Sequence, residues 1–423
     1  MRIFEGREAI DHLARYAAGP IGLRSDDSDL QQRVADVLSR VRDGGDRAVR
    51  ELARQFGDEP PERFELDPDG IPAAGARVPS GTRGIIERAA ENIAAVARAV
   101  ADLIKSVRVE QDGFAVGVEF RPVECVGCYV PGGRFPLPST VLMTAVTARV
   151  AGVRDICIVS PRLTDEIVYA GTLVGVSRFH RLGGAQAIAA LAYGTESIPR
   201  VDMIVGPGNT YVTEAKRQLQ GTVGIDLLAG PSEIAIIADA TANPRWLALD
   251  LAAQLEHDPM SRAFLLTTSR KVAEETVHEG AFLWSNHDWR GDRDANTADV
   301  FVGIYDSLSD CVAASDMIAP EHLHLHLSQP AVLERRPRHY GALFIGYEST
   351  VPFGDYMAGP NHTLPTGGSA RFSGALSPLN FLRAQSFVEV RRLDHQAVLQ
   401  TAGFAELEGL AMHAAAVRAR MNA

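Results

Sequence analysis

The sequence predicts an α/β fold built from βαβ units around parallel sheet, with helical extensions at both ends of the chain. Short β-branched runs alternate with Ala-rich helical stretches between residues 115 and 240, and a similar alternation continues to about residue 347. The runs are AVGVEF, VECVGCYV, DICIVS, DMIVG, EIAIIAD, AFLLTTS, FVGIYDS and ALFIGY. Alternation of this kind is typical of parallel sheets with crossover helices.

The length and the charge balance narrow the class of protein. A chain of 423 residues is expected to form roughly two or three domains. The net charge is −11, with 42 Lys and Arg against 53 Asp and Glu, which argues against nucleic acid and anionic membranes as partners. The amino terminus, MRIFEGREAIDHL, is charged and lacks the apolar segment of a signal peptide. We therefore expect a cytoplasmic protein.

Helical periodicity marks both ends of the first hundred residues. Residues 28–56 show amphipathic spacing that Gly44 and Gly45 interrupt, which predicts two helices. Residues 58–77 are rich in Pro, Gly and Asp and are expected to form a loop, and residues 81–106 predict one long helix.

The helix after the run EIAIIAD has clear start signals. Asn243 is a good N-cap residue and Pro244 suits the first helical position. The segment beyond about residue 375 changes character and is expected to end in a helix.

The four cysteines include one C-x-x-C pair, Cys125 and Cys128. Zinc or redox chemistry would need a second Cys/His pair at ribbon spacing or a helix start at the first thiol. The surrounding VECVGCYV predicts instead a buried strand that runs into a Pro-Gly-Gly turn.

A nucleotide-binding fingerprint is incomplete in this chain. Neither G-x-G-x-x-G nor G-x-x-x-x-G-K-[ST] follows a predicted strand, and VGPGNTY at 205–211 comes closest. A glycine-rich turn that leads into a helix can place N–H groups near an anion, but an ordinary tight turn is the preferred interpretation of this segment.

Several polar side chains stand where a fold of this class can carry chemistry. Gln254 and His257 lie three apart near the end of a predicted helix, and therefore on one face. Asp355 and His362 lie in the loop FGDYMAGPNHTLPTGG, which no strand or helix can occupy. The alternative for His257 is a histidine that only interacts favourably with the helix dipole at the carboxyl end of the helix. The alternative for Asp355 and His362 is an ordinary surface loop.

The segment APEHLHLHLSQP raises the question of a metal site on a strand. His322, His324 and His326 alternate with leucines, so a strand would place all three imidazoles on one face. Periodicity alone does not separate a metal site from a catalytic site or a buried histidine cluster.

Eight longer motifs, read together and in order, closely resemble the histidinol dehydrogenase family. The motifs run from about residue 28 to residue 413, nearly the whole chain. They are GCYVPGG, GGAQAIAALAYGTE, VGPGN-x-YV, VGIDLLAGPSE, QLEHDP, APEHL, GDYMAGPNHTLPTGGSARFS and EGLAMH.

The resemblance implies a homodimeric, zinc-dependent enzyme with two Rossmann-like parallel-sheet domains. Such an enzyme oxidises L-histidinol through the aldehyde to L-histidine with two NAD+, the last step of histidine biosynthesis. The implied domains are an N-terminal extension (1–22), a first Rossmann-like domain with the catalytic and zinc residues (23–123 plus 234–375), an inserted NAD-binding domain (124–233) and a dimer-exchanging tail (376–423).

Residue-by-residue matching implies one zinc ion per subunit. The implied ligands are Gln254, His257, Asp355 and His413. Two imidazoles, a carboxylate and an amide oxygen suit zinc. The tail of this family reaches across the dimer, so Glu408 and His413 are expected to complete the active site of the partner subunit.

The same matching assigns the acid/base and binding roles. Glu321 and His322 are implied as the acid/base pair, with Glu321 activating the water of the second oxidation. The remaining implied contacts are Ser232, Gln254, His257, His322, Asp355, His362, Glu408 and His413 with the substrate, and Tyr129, Gln186 and Asn209 with NAD.

Four positions depart from the family pattern. The resemblance predicts an acidic residue at position 324 and no fixed histidine at position 326. His324 and His326 are therefore interpreted as peculiar to this chain. Arg134, with Phe135, could hold an anionic group, which leaves open a sister enzyme that oxidises a sulfonated diol. A solvated turn residue near the NAD pyrophosphate is the preferred interpretation of Arg134.

A non-catalytic metal-binding or redox protein is the rival from another class. It would use the C-x-x-C pair and the histidine strand rather than Glu321. It predicts that Cys125→Ser removes function whereas Glu321→Gln does not. A second rival is a dehydrogenase-like fold that has lost catalysis, and the filled acid/base and ligand positions argue against that one.

Overall fold

A computed structural model describes residues 2–17, 28–132, 136–256, 260–286 and 299–422. Its strands are β1 (Arg2–Glu5), β2 (Val107–Gln111), β3 (Phe114–Pro122), β4 (Cys125–Tyr129), β5 (Asp155–Ser160), β6 (Arg178–Arg181), β7 (Met203–Val205), β8 (Gly224–Ile225), β9 (Glu233–Ala238), β10 (Arg262–Thr267), β11 (Asp299–Ile304), β12 (His322–His326), β13 (Ala342–Ile345) and β14 (Leu382–Val390).

The helices alternate with these strands through most of the chain. They are α1 (Gly6–Ala17), α2 (Ser28–Gln55), α3 (Gly70–Arg77), α4 (Ser80–Ala101), α5 (Pro138–Val141), α6 (Thr147–Val150), α7 (Asp165–Leu173), α8 (Gly184–Tyr193), α9 (Thr210–Leu219), α10 (Pro244–Leu255), α11 (Arg270–Asn286), α12 (Leu308–Ile318), α13 (His395–Leu407) and α14 (Ala411–Arg418). A π-helical turn, Leu142–Val146, joins α5 to α6, and another is formed by Phe353–Met357.

Two parallel sheets form the centre of the fold, as the sequence predicts. The larger has six strands in the order β1-β11-β10-β9-β12-β13, and every pair in it is parallel. All six residues of β9 are buried, which explains why this strand reads as a continuous apolar run. The chain therefore belongs to the α/β class.

The smaller parallel sheet has the order β6-β5-β4-β7-β8. The chain first builds outward from β4 through β5 to β6, and then returns to the other side of β4 with β7 and β8. This reversal creates a switch point between β4 and β7, and cofactors of doubly wound folds bind beyond the carboxyl ends of such strands.

The run AVGVEF was expected in a parallel sheet, and this prediction is wrong. It lies in β3, the central strand of an antiparallel sheet in the order β14-β3-β2. Asp112 and Gly113, with φ of 50° and 83°, form the tight connection between β2 and β3. An Asp-Gly pair of this kind favours a two-residue hairpin, which leaves no room for a crossover helix.

Of the three predictions for the first hundred residues, the two helical ones are confirmed and the loop is wrong in part. The span of α2 is kinked at Gly45, where φ is 53° and ψ is −142°, so two helical pieces meet at the predicted glycine pair. The long helix predicted over 81–106 is α4, which spans Ser80–Ala101 and ends five residues earlier than expected. The loop expected over 58–77 is wrong at its end, where α3 forms; Pro72 occupies its first turn, where the missing N–H is not needed.

Packing connects the amino-terminal helices to different sheets. Apolar side chains of α2 and α4 pack against the five-stranded sheet, whereas Ala9 and Leu13 of α1 pack against the six-stranded sheet together with Phe301. This grouping differs from the expected domain division, which placed residues 23–123 with the six-stranded sheet. The domain boundaries themselves remain a prediction.

The start of α10 and the helical tail follow the prediction. Oδ1 of Asn243 accepts hydrogen bonds from the N–H groups of Arg245 and Trp246, and Pro244 takes the first helical position. The tail consists of β14, α13 and α14 and ends in a short 3₁₀ turn. Among the described residues, no helix has the length and apolarity needed to cross a membrane.

Candidate active site

A buried carboxyl group, that of Glu321, lies at the amino-terminal ends of the strands of the six-stranded sheet, directly before β12. Oε2 of Glu321 accepts a hydrogen bond from the hydroxyl of Ser232 at 2.5 Å and another from the N–H of Glu233 at 3.0 Å. These donors stand at the start of β9, which pairs in parallel with β12 and so brings the beginnings of both strands together. Two donors hold Glu321 in one orientation.

The environment of Glu321 sets its acidity near neutral pH. Burial raises the pKa of this carboxyl group to about 7, and the hydrogen bonds from Ser232 and Glu233 lower it in part. A carboxyl group with this pKa can gain or lose a proton at physiological pH, which suits a general acid or base.

The imidazole of His322 lies beside this carboxyl group. Its Nδ1 is 3.3 Å from the carbonyl oxygen of Glu233 and 3.6 Å from Oε2 of Glu321. Because a carbonyl only accepts, Nδ1 carries the proton, and Nε2 is left with its lone pair. Nε2 is buried without a hydrogen-bond partner. Burial lowers the pKa of His322, so the ring is neutral and Nε2 can accept a proton.

A second carboxyl group faces this lone pair. Asp355 lies in the π-helical turn Phe353–Met357, and its Oδ1 is 3.8 Å from Nε2 of His322. Burial raises the pKa of Asp355 to about 6, while His322 lowers it and Glu321 raises it further. The structure thus brings together three predicted side chains, Glu321, His322 and Asp355.

Gln254 joins the same site from the last turn of α10. Its amide Nε2 donates to the hydroxyl of Ser232, and its Oε1 is buried without a partner. An unpaired buried amide oxygen is costly and suits a site that a cation completes. Gln254 and Asp355 therefore fit the predicted zinc ligands, whereas His257 lies outside the described residues.

Hydrogen bonds connect the loop that contains His362 to the start of β9. The N–H of Gly367 donates to Oε1 of Glu233 at 3.0 Å, and the hydroxyl of Thr366 accepts from the N–H of Gly230 at 2.5 Å. His362 is half-buried in this loop. The loop therefore lies along one wall of the site.

Glu408 and His413 lie elsewhere within the chain. They line a cavity of about 810 Å³ between α13 and α14, and all residues around it belong to the tail. Within the described part of one chain, neither side chain has a hydrogen bond or ion pair to Glu321, His322 or Asp355. The structure of a single chain therefore does not bring these two residues into the site.

The predicted NAD contacts gather at the switch point of the five-stranded sheet. The hydroxyl of Tyr129, at the end of β4, accepts a hydrogen bond from the N–H of Gly184 at 3.1 Å. Gln186 follows on α8 and has a buried Oε1 without a partner. Asn209 caps α9, since its Oδ1 accepts from the N–H of Val212 at 3.1 Å. Their common position agrees with the rule for dinucleotide-binding sheets.

A buried ion pair that the sequence reading missed shapes this region. Lys216 on α9 pairs with Asp226, and its Nζ also donates to the carbonyl oxygen of Gly206 at 3.0 Å. Asp226 in turn accepts from the N–H of Gly206 at 2.7 Å. Gly206 has φ of 111°, and a Cβ there would come within 2.1 Å of the carbonyl oxygen of Tyr129. The ion pair of Lys216 and Asp226 fixes the glycine turn between β7 and α9. No local sequence pattern predicts this ion pair.

The predicted buried strand around the cysteine pair is confirmed. Cys125 and Cys128 lie on β4, three residues apart, so they point to opposite faces. Burial raises the pKa of the Cys125 thiol. The fully buried thiol of Cys128 has its pKa raised by burial to about 12. Neither belongs to a group of potential metal ligands in the part of the chain that the structure describes, so the arrangement does not suit the redox or zinc alternative.

The strand that carries the three histidines is also confirmed, but the histidines lie in two different environments. His322 belongs to the site described above. His324 and His326 are fully buried farther along β12, where Asp250 of α10 joins them. The carboxylate Asp250 was missed, because its proximity to His324 depends on where α10 lies relative to β12 in the fold. Arg134 and Phe135 lie outside the described residues.

Comparisons with known proteins agree with this architecture. The family model described as histidinol dehydrogenase matches residues 23–421. A histidinol dehydrogenase of Parasynechococcus marenigrum (strain WH8102) is 43% identical over 406 residues, covering 94% of this chain and 92% of the relative. One of Methanocaldococcus jannaschii is 42% identical over 398 residues, covering 92% of each.

A solved structure gives the same result in three dimensions. The crystal structure of histidinol dehydrogenase from Elizabethkingia anophelis aligns with a TM-score of 0.90 at 32% identity, covering 100% of this chain and 98% of that chain. The match extends over both parallel sheets and the tail. The chain belongs to the histidinol dehydrogenase family.

Proposed function

We propose that this protein oxidises L-histidinol through L-histidinal to L-histidine with NAD+, the last step of histidine biosynthesis. Family membership over residues 23–421 supports this activity. The single observation that carries the chemistry is the buried pair at the start of β12, in which Glu321 has a pKa of about 7 beside a neutral His322. The substrate is a small molecule.

His322 is proposed as the base of the alcohol oxidation. Removal of a hydride from an alcohol carbon requires that the hydroxyl proton leave to a nearby acceptor. Nε2 of His322 has a free lone pair because Nδ1 is engaged by the carbonyl oxygen of Glu233. The imidazolium formed after proton uptake would lie 3.8 Å from Oδ1 of Asp355, which stabilises the positive charge.

Glu321 is proposed as the base of the aldehyde oxidation. The second step needs water to add to the carbonyl carbon, and a carboxylate can take the proton of that water. The hydrogen bond from Ser232 aims Oε2 and leaves the other oxygen of Glu321 for this purpose. Since the pKa is about 7, a large fraction of Glu321 is ionised at neutral pH.

One zinc ion per subunit is proposed in the same site, beside Glu321 and His322 at the amino-terminal end of β12. Gln254, His257 and Asp355 would hold it together with His413 of the partner subunit. The buried, unpartnered Oε1 of Gln254 supports this set, as does the carboxylate of Asp355. When bound, zinc would supply a positive charge that orients the amine and the imidazole of the substrate. Ser232, His362 and Glu408 would contact the substrate beside it.

NAD+ is proposed to bind at the switch point of the five-stranded sheet. Tyr129 ends β4, Gln186 follows β6 and Asn209 follows β7, so all three stand beyond or at the carboxyl ends of strands of one parallel sheet, which supports this proposal. The cofactor would supply the acceptor for the hydride in both oxidations. The amide of Gln186, whose Oε1 is buried and unpaired, is the side chain best placed to gain a hydrogen bond from it.

A homodimer in which each tail completes the partner's active site is proposed as the working assembly. The tail of one chain exposes large apolar side chains, with Phe404 exposed to 65%, Leu407 to 85% and Met412 to 80%. Burial of such side chains against a second copy would remove them from water. Leu407→Glu is expected to give monomers by light scattering and to lower activity, whereas an active monomer would contradict the assembly.

The choice of substrate tests the proposed function directly. The zinc-loaded protein is given NAD+ with L-histidinol or with a sulfonated diol, and NADH formation is followed. Turnover of L-histidinol alone is expected. Turnover of the diol alone would keep the fold and His322 but assign the protein to a sister activity, with Arg134 as the candidate anion contact.

A further inference from the structure

A second group of potential metal ligands lies deeper along the same strand. Asp250 of α10 and the two histidines His324 and His326 of β12 place one ligand atom each within 4.8 Å of one another. The two histidines have no exposed surface, and the Asp250 side chain is 11% exposed. Among the described residues, this is the one group of three or more His, Cys, Asp and Glu that meets such a spacing.

The regular geometry of α10 and β12 explains how the group forms. Trp246, Asp250 and Gln254 repeat every four residues, or about 6.0 Å along a helix. The histidines of β12 repeat every two residues, or about 6.6 Å along a parallel strand. The helix runs antiparallel to the strand, so Asp250 lies opposite His324 and the ring of Trp246 lies 6.3 Å from that of His326. Gln254 reaches the Glu321 pair through Ser232.

The tautomer of His324 is fixed by a backbone carbonyl. Nε2 of His324 lies 2.8 Å from the carbonyl oxygen of Gly346, so Nε2 donates. The lone pair of a neutral ring is then on Nδ1, which lies 3.5 Å from Oδ2 of Asp250 and has no hydrogen bond. Two electron-rich atoms facing each other in the protein interior require a positive charge between them, either a proton or a metal ion.

His326 separates these two possibilities. Both of its ring nitrogens are buried without a hydrogen-bond partner. A neutral imidazole in this position has one nitrogen lone pair that no group of the protein occupies. A proton between His324 and Asp250 would leave both ring nitrogens of His326 without a partner, and an unpaired buried polar group is unfavourable. A metal ion would satisfy all three side chains.

The groups around the three ligands are suited to support a metal. Oδ1 of Asp250 accepts from the hydroxyl of Thr350 at 2.7 Å, so Oδ2 is the oxygen available to an ion. The contact of His324 with Gly346 is the outer hydrogen bond that metal-bound imidazoles usually have. Tyr347 packs with its ring 4.9 Å from that of His326. Asp239, the other nearby carboxylate, is already bonded by Thr241 and Ser328.

We propose that Asp250, His324 and His326 bind one divalent transition-metal ion, with Zn²⁺ as the preferred occupant. Two imidazoles and one carboxylate are typical zinc ligands and disfavour Mg²⁺ and Ca²⁺, which prefer oxygen. In a tetrahedral zinc site with bonds of about 2.0–2.1 Å, neighbouring ligand atoms lie about 3.4 Å apart. Nδ1 of His324 and Oδ2 of Asp250 already have this separation.

This site does not depend on the proposed catalytic zinc. It shares no ligand with that set, although it ties α10 to β12, the helix and the strand that carry Gln254 and His322. Bound metal is therefore expected to stiffen the support of the active site without contacting the substrate. The catalytic proposal and this one can each fail alone.

Metal content per chain tests the proposal. The full-length protein is exposed to zinc, desalted and analysed by mass spectrometry for metal. Asp250→Asn, which keeps the size of the side chain and the bond from Thr350, and His326→Gln are each expected to lose one equivalent relative to the wild type. His180→Gln is the matched control, because His180 is also fully buried with both ring nitrogens unpaired but belongs to no ligand group.

Equal metal content in the wild type, Asp250→Asn and His326→Gln would overturn the proposal, as would an equal loss in His180→Gln. Asp355→Asn should remove only the equivalent of the proposed catalytic site. If that site holds no metal, the wild type should contain one equivalent and Asp250→Asn none.

Wild-type crystals keep the test decisive if the variants fail to fold. Anomalous diffraction at the zinc edge should give a peak between Asp250, His324 and His326, and the absence of a peak there would refute the site.

Discussion

Replacement of Ser232 by alanine should shift the pH dependence of catalysis in a direction that the hydrogen bonds determine. The Ser232 hydroxyl donates to Oε2 of Glu321 at 2.5 Å and thereby favours the ionised form. A hydrogen bond to a charged group is worth about 1.5–3 kcal/mol, and about 1.36 kcal/mol corresponds to one pKa unit. Loss of this bond should raise the pKa of Glu321 from about 7 by one to two units.

The rate consequence follows from the ionised fraction. Because the carboxylate is the active form, activity is low below the pKa and rises above it. At pH 7 about half of the wild-type Glu321 is ionised, against roughly one-tenth or less in Ser232→Ala, so kcat/KM for aldehyde oxidation should fall about 5- to 50-fold and recover above pH 9.

The assay is kcat/KM for L-histidinal oxidation between pH 5.5 and 10, measured by NADH formation with saturating zinc. Ser232→Thr keeps a hydroxyl and is the matched control, so its acidic limb should stay near that of the wild type. A uniform loss of activity at every pH in Ser232→Ala, or a limb that moves to lower pH, would refute the reasoning and reduce Ser232 to a binding contact.

Three further predictions concern the roles of individual side chains. Glu321→Gln should slow aldehyde oxidation by about 100-fold or more and alcohol oxidation less, because only the former needs the water-activating carboxylate; equal slowing in stopped-flow assays of both half-reactions would remove that role. Asp355→Asn should bind less zinc while keeping its circular dichroism spectrum, and unchanged zinc content would exclude Asp355 as a ligand. Cys125→Ser should retain wild-type NADH production, since its thiol is held protonated by burial; a large loss would favour the redox alternative.

Local signals predicted the parts of the fold that depend on local physics. The alternation HLHLH predicted that three imidazoles share one face of β12, and the Asn243-Pro244 pair predicted the start of α10. The alternation of EIAIIAD with helical stretches predicted a strand of a parallel sheet, and β9 is such a strand. Each of these depends on residues that are neighbours in sequence.

The parts that sequence reasoning missed depend on register between distant segments. Asp250 meets His324 only because α10, which packs on β9 and β10, runs antiparallel to β12 with a matching repeat. The brace that Glu233 provides, through its N–H to Glu321 and its carbonyl to His322, follows from the pairing of β9 with β12. The pairing of β3 with β14 joins segments more than 250 residues apart and has no local signature.

The Asp112-Gly113 turn is different, because its hairpin signal was present in the sequence. The strand after it was nevertheless assigned to a parallel sheet. The Asp-Gly turn, rather than the alternation of strands and helices, determines that β3 pairs antiparallel with β2.

The number of NADH molecules formed per L-histidinol tests the central claim most directly. Limiting L-histidinol is incubated with zinc-loaded protein and excess NAD+ until absorbance at the NADH band is constant, and the product is identified by mass spectrometry. The acid/base pair of Glu321 and His322 predicts two NADH and L-histidine. One NADH with L-histidinal as the end product, or no NADH at all, would contradict the account.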